Sequence, residues 1–191
     1  MIYPEYIQVG DNKYKINTDF RIALKCNNIV QDESISDLER TMAIIYLLFG
    51  EDALKSIDDY EELERLAVKY LLCNEEKKTD NSDIDMDFDQ DMPYIEASFM
   101  SDYHIDLSKE KMHWWKFYNL ICGLSNSEMG NCCILNRIRN IRTMDTRDIK
   151  DPKEKKQIME AKKHFALKKK QPELTEEQLR SIQELDKALG L

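Results

Sequence analysis

Three histidines, five cysteines and a run of aspartates are the residues of this chain with the means to do chemistry. The histidines are His104, His113 and His164; the cysteines are Cys26, Cys73, Cys122, Cys132 and Cys133. A structural zinc needs four nitrogen or sulfur ligands, commonly supplied as closely spaced pairs. The chain has no Cys-x-x-Cys pair and no second histidine at a ligand spacing, so neither a metal nor a cofactor is expected. Cys122 and His113 are the residue types of a thiol nucleophile and its base, but nothing beyond residue type supports that pairing. Asp85, Asp87, Asp89 and Glu96 stand at positions 1, 3, 5 and 12 of a calcium loop. The sharp turn of such a loop needs glycine at its sixth position, where this chain has Gln90, and Pro93 occupies the ninth. A solvated acidic stretch running into a helix N-terminus, which welcomes negative charge, accounts for the same aspartates. There is no phosphate-cradling glycine loop, no Gly-x-Ser-x-Gly turn and no nucleotide fingerprint. The sequence therefore reads as that of a binding protein and not of an enzyme.

The elements that must position these residues are mostly helical. The chain has 191 residues, 42% hydrophobic and 34% charged, with five glycines and four prolines and a net charge of −9. That is long enough to bury a real core and too poor in turn formers for a large β architecture. The odd, scattered cysteines suggest free thiols and a reducing compartment. The start of the chain does not read as a signal peptide. The longest apolar run, Met42 to Phe49, falls well short of the roughly 20 residues a membrane span needs. The fold class expected is mainly α, a multi-helix bundle with an N-terminal β-hairpin, α+β by strict count.

Along the chain, residues 1–73 read as a hairpin plus helices. Two alternating segments flank Gly10-Asp11-Asn12, as a hairpin requires. Its edges either pack under the domain's own helices or serve assembly. A helix follows from Asn17-Thr18-Asp19 to about Val30, with Ile22, Cys26 and Ile29 on one face. Ser36 and Glu39 form a capping-box pattern ahead of a second helix. Its apolar side is Leu38, Met42, Ile45, Leu48 and Phe49, with Gly50 as stop. A short piece over 52–57 precedes a third stripe: Tyr60, Leu63, Leu66, Ala67, Tyr70 and Leu71.

Residues 74–91 carry eight acids against two lysines and read as an acidic linker, mobile at least in part. Residues 92–170 follow as an aromatic helical region and a basic helix. Pro93 suits a first helical turn. Ile95, Phe99 and Tyr103 line up behind it, with Ala97 allowing close approach. After Ile105-Asp106-Leu107, Ser108 is read as the cap of a helix bearing Trp114, Phe117, Tyr118, Ile121 and Leu124. Residues 137–170 hold thirteen basic and five acidic side chains. They lack interleaved stacking aromatics, so nucleic acid is not favoured; the chain's own acidic linker is a candidate partner. Residues 171–191 read as a final amphipathic helix with Leu179, Ile182, Leu185 and Leu189 on one side.

Residues Asp87-Phe88-Asp89-Gln90-Asp91, Tyr94-Ile95, Ala97, Phe99, Tyr103, Ile105-Asp106-Leu107 and His113-Trp114-Trp115-Lys116-Phe117 resemble a family of small phage proteins. These are encoded in the tail gene cluster of tailed phages and prophages of Gram-positive bacteria. The resemblance is strongest over 85–142 and is to the second tail-assembly chaperone, the one preceding the tape-measure gene. His104 stands where that pattern has glycine. The resemblance implies an interaction protein in the host bacterial cytoplasm, with no membrane contact. Its partners would be the tape measure protein and possibly the tail tube protein or an upstream chaperone. The alternatives are a minor virion or tail structural component, or a small inhibitor of a host protein. Tyr94, Ile95, Phe99, Tyr103, Ile105, Leu107, His113, Trp114, Phe117 and Ile121 would be the structural core. Trp115 and Met112, with Leu179, Ile182, Leu185 and Leu189, are the candidate partner-binding residues. Adjacent tryptophans on a helix diverge by about 100°, and Trp114 lies in the stripe, so Trp115 is expected to be the partly exposed one.

Overall fold

The computed structural model describes residues 3–56, 59–75, 85–126 and 132–168. It shows a mainly α fold with one small hairpin: eight helices among the described residues. The elements are β1 (Tyr6–Val9), β2 (Asn12–Lys15), α1 (Phe20–Gln31), α2 (Asp37–Phe49), α3 (Glu51–Leu54), α4 (Tyr60–Leu71), α5 (Met92–Tyr103), α6 (Trp114–Cys122), α7 (Ile134–Thr143) and α8 (Pro152–Phe165).

The hairpin pairs Tyr6 with Lys15 and Val9 with Asn12 in antiparallel register. Gly10 has φ +54°, at the first of two loop positions, where positive φ matches the strand twist. The hairpin is covered by the domain's own helices: Val9, Tyr14 and Ile16 are buried, and β1 packs on α4. The Tyr14 hydroxyl donates to Asp59 Oδ2 at 2.7 Å, fixing the hairpin at the start of α4.

α1, α2 and α4 form the N-terminal layer, with α2 packed on both neighbours. The Ser36/Glu39 capping box forms in full, and Gly50, φ +85°, turns the chain from α2 into α3. α1 and α6 begin side by side. Phe20 N–H donates to the Met112 carbonyl (2.9 Å) and Trp114 N–H to that of Thr18 (2.8 Å). Each helix thereby supplies a partner for the other's first unpaired amide, groups that have none within their own helix.

That bridge corrects the helix start inferred at Ser108. The 109–124 segment is helical only from Trp114, and His113 is its cap. Residues 111–113 are held extended by the pairing with 18–20, so a helix cannot run through them. Ser108 instead sits in a turn closed by Asp106, which accepts from its N–H and hydroxyl. A second correction concerns α5. Ala97 is exposed, and the close approach is made at Ser98, which is fully buried. Its Oγ accepts the Leu135 N–H at 3.1 Å, seating the start of α7.

The acidic stretch is not a free linker over its described part. Residues 85–91 are built into the fold, with Phe88 against Trp114 at 5.9 Å between ring centroids. One buried cluster runs continuously from Val9 to Leu135 and joins both halves of the chain. Residues 76–84 lie outside the described residues.

Candidate interaction surface and the core behind it

The aromatic motif builds the centre of the core. Trp114, Phe117, Phe99 and Phe20 are all buried. Phe117 stacks on Phe20 (4.4 Å between centroids) and on Phe99 (5.3 Å). Ile95, Leu107 and Ile121 are buried with them, whereas Tyr94, Tyr103, Ile105 and His113 are half-buried. The Tyr103 hydroxyl donates to the Leu120 carbonyl at 2.9 Å. A Cβ at Gly123 would lie 3.0 Å from that hydroxyl, which accounts for a glycine there.

The paired tryptophans hold the end of α4. Trp114 Nε1 donates to the Leu71 carbonyl at 3.0 Å, and Trp115 Nε1 to the Tyr70 carbonyl at 2.9 Å. These carbonyls belong to the last turn of α4, where acceptors have no partner within the helix. Adjacent indoles diverge enough to reach adjacent carbonyls. His113 completes the arrangement. Its Nδ1 accepts the Trp115 N–H at 3.0 Å, so the ring proton sits on Nε2, which donates to Pro4 O at 3.0 Å. Both ring nitrogens are thus engaged away from Cys122. Burial pushes the Cys26 and Cys73 thiols up to about 12 and raises that of Cys122 as well. Raised thiols are protonated at neutral pH and are poor nucleophiles.

Acidic and basic segments meet at a buried ion pair. Asp91 has no solvent exposure, and its two carboxylate oxygens each accept from Arg142 at 2.7 Å. Asp91 also accepts the Asp87 N–H at 3.0 Å. Arg142 further donates to the carbonyls of Asp85 (2.8 Å) and Phe165 (2.6 Å). The bonds to Asp91 raise the Arg142 pKa above its usual value. Arg139, one turn earlier, pairs with Asp85 at 2.8 Å. Asp87 accepts the N–H groups of Asp89 and Gln90. The aspartates of the calcium-like spacing therefore turn in different directions. Gln90 brackets Lys168 through both its amide oxygen and nitrogen. The acidic segment thus docks on α7 and on the end of α8. Sequence reading named this docking only as a candidate for the basic stretch, placed Asp91 in the acidic motif without a partner, and did not single out Ser98 or the buried Asn136. The one available signal was Ser98 lying in register with Ile95 and Phe99 on the α5 stripe.

The candidate partner-binding residues lie in different settings, and Trp115 is the more exposed of the paired tryptophans, as expected. Met112 is buried, at 6% exposure, inside the bridge between α1 and α6. Trp115 is half-buried and stacks near Tyr70 at 6.0 Å. Leu179, Ile182, Leu185 and Leu189 lie outside the described residues. Among the described residues, α2 exposes three large apolar side chains: Leu38 is 64%, Met42 42% and Tyr46 53% accessible. Sequence reading put Leu38 and Met42 on the core side. The apolar arc of α2 is wider than the surface α1 and α4 cover, and Ile44, Ile45, Leu48 and Phe49 fill that surface. Four-residue spacing lines up Leu38, Met42 and Tyr46 as one stripe. Tyr46 reaches the rim of an open cleft of about 820 Å³ lined also by Lys15, Asn17, Glu51 and Lys111.

α8 is the second exposed feature. None of its residues is buried, and Ile158, Ala161 and Phe165 form its half-buried side. Among the described residues, no helix is long and apolar enough to cross a membrane. A search of curated proteins and of solved structures gave no match. The family model described as Bacteriophage Gp15 protein matches residues 3–167. This span takes in every element from the hairpin to α8, and the chain belongs to the Gp15 family of bacteriophage proteins.

Proposed function

We propose that this phage protein is a tail-assembly chaperone that keeps the tape measure protein soluble in the host cytoplasm until tail tube subunits replace it. The observation that carries this reading is the α2 stripe of Leu38, Met42 and Tyr46. Three large apolar side chains aligned on one exposed helical face are an attachment site for another polypeptide. A long helical protein with apolar stripes of its own aggregates when free. Such stripes dock as anchors at helical spacing against a complementary apolar face. The resemblance over 85–142 and membership of a phage family support the same reading. The aromatic core behind the surface supplies rigidity and performs no reaction.

The test is co-expression with the tape measure of the same phage. The chaperone raises the soluble tape measure severalfold and co-purifies with it, and it is absent from finished particles. No gain in solubility together with no co-purification rejects the proposal. Stoichiometric recovery from purified particles favours a structural component of the tail instead.

A further inference from the structure

We infer that the α2 stripe is built for a basic amphipathic helix, so that the partner presents apolar residues at four-residue spacing flanked by lysine or arginine. This inference rests on the chaperone reading for the partner's identity but on the charge around the stripe for its chemistry.

The residues around the stripe decide the sign. α2, α3 and α4, with the Lys55 that follows α3, carry seven carboxylates against four cations, while Lys15 and Lys111 line the cleft at the Tyr46 end. Three of those cations pair with four of the carboxylates, Arg40 with Asp37, Arg65 with Glu62 at 2.5 Å and Lys55 with Glu51 and Asp52, which leaves Glu39, Glu61 and Glu64 against Lys69 on these helices. Glu39 follows Leu38 on α2 and is exposed. On the α4 side Glu64 stands 3.0 Å from the Thr41 hydroxyl, which places its carboxylate directly against α2. Glu61 is exposed one turn before it. The stripe is therefore an apolar line with an acidic flank at its Leu38–Met42 end. A face of this kind cannot pair with its own copy about a two-fold axis without opposing carboxylate to carboxylate, which is costly at an interface. An acidic amphipathic helix is rejected for the same reason. A basic one gains both apolar burial and complementary charge, and the charge also speeds encounter at low salt.

The chain's own α8 has the same chemistry as the partner inferred. It carries five lysines and two glutamates, and its outward side sets Met159, 56% exposed, among Lys155, Lys156 and Lys163. A second copy offering α8 is thus the occupant that the experiment must separate from a foreign helix.

The probe is a synthetic, fluorescently labelled peptide of leucine and lysine arranged as an amphipathic helix, titrated with the full-length protein by anisotropy. Two controls accompany it: a scrambled peptide of identical composition, and an amphipathic peptide with glutamate in place of lysine. The basic amphipathic peptide binds at least tenfold more tightly than either control. Met42→Gln with Tyr46→Ser weakens that binding about tenfold, and Glu61→Lys with Glu64→Lys weakens it and flattens its salt dependence. These positions are exposed, and unchanged circular dichroism confirms the fold of each variant. Equal binding of the scrambled peptide, or undiminished binding by the variants, overturns the inference. So does concentration-dependent self-association in sedimentation that Lys156→Glu with Lys163→Glu abolishes while the peptide fails to compete, because α8 of a second copy then owns the face. The two proposals fail separately. Peptide binding at α2 with no effect on tape measure solubility leaves this inference standing and removes the chaperone reading. Tape measure solubilised equally by the Met42/Tyr46 variant does the reverse.

Discussion

Backbone strain at His104 and an unsatisfied hydroxyl at Tyr70 are features that a single substitution can read out. His104 ends α5 in the left-handed region, φ +55° and ψ +33°. A Cβ in that conformation costs roughly 1–2 kcal/mol, which glycine avoids. His104→Gly is therefore expected to raise stability by up to about 1 kcal/mol, the gain being offset in part by the freer unfolded chain. Urea denaturation measures it. The Tyr70 hydroxyl is buried with no hydrogen-bond partner among the described residues, as is that of Tyr60. Burial raises the Tyr70 pKa above its usual value. Tyr70→Phe removes an unsatisfied polar group while keeping the ring, so stability should stay level or rise by up to about 1 kcal/mol. A loss of more than that would show that the hydroxyl has a partner in solution.

At the scale of elements, two joints hold the helices together. The first is the indole pair on the last turn of α4. Trp114→Phe leaves the Leu71 carbonyl without its donor in the dry core and opens a gap, at a cost of about 2–4 kcal/mol. Trp115→Phe acts at a half-exposed site, where water can replace the donor, and should cost about 1 kcal/mol or less. Thermal or chemical unfolding of the two variants side by side tests that order. The second joint is Asp91 with Arg142, which links the start of α5, the last turn of α7 and the end of α8. Arg142→Met strands a buried carboxylate and should destabilise by about 3–5 kcal/mol. Adding Asp91→Leu removes the stranded charge and should recover most of that loss, as a double-mutant cycle would show.

At the scale of the whole molecule, burial predicts an ordering of local stability. α8 buries no residue, while α5 and α6 contribute Ile95, Phe99, Trp114 and Phe117 to the centre of the core. Amide exchange in α8 should therefore be faster than in α5 and α6 by orders of magnitude, since its opening exposes little apolar surface. Similar protection in all three would mean that α8 is covered in solution. The same distribution places the chain's exposed features apart in kind. α2 offers an apolar stripe with an acidic flank at its Leu38–Met42 end, and α8 a basic side around one methionine.

Most of the element list was legible from residue spacing alone. Tyr60, Leu63, Ala67, Tyr70 and Leu71 recur as one stripe, Ser36 and Glu39 form a capping box, and Gly10 closes a hairpin. Each of these is a local pattern, set by helical or strand periodicity and by which residues tolerate a turn. The buried aromatic core was legible too, because few arrangements other than burial accommodate Trp114, Phe117 and Phe99 together. What depended on tertiary structure was every question of which neighbour a residue meets. Met112 became core because 111–113 pairs with 18–20, ninety residues away in sequence. Asp91 became the buried partner of Arg142 rather than one more solvated acid of a linker. Leu38 and Met42 stayed on the surface because α1 and α4 cover only part of the apolar arc of α2. Periodicity states that a helix has an apolar side; how much of that side is covered depends on the packing of other elements, and only the folded chain fixes that.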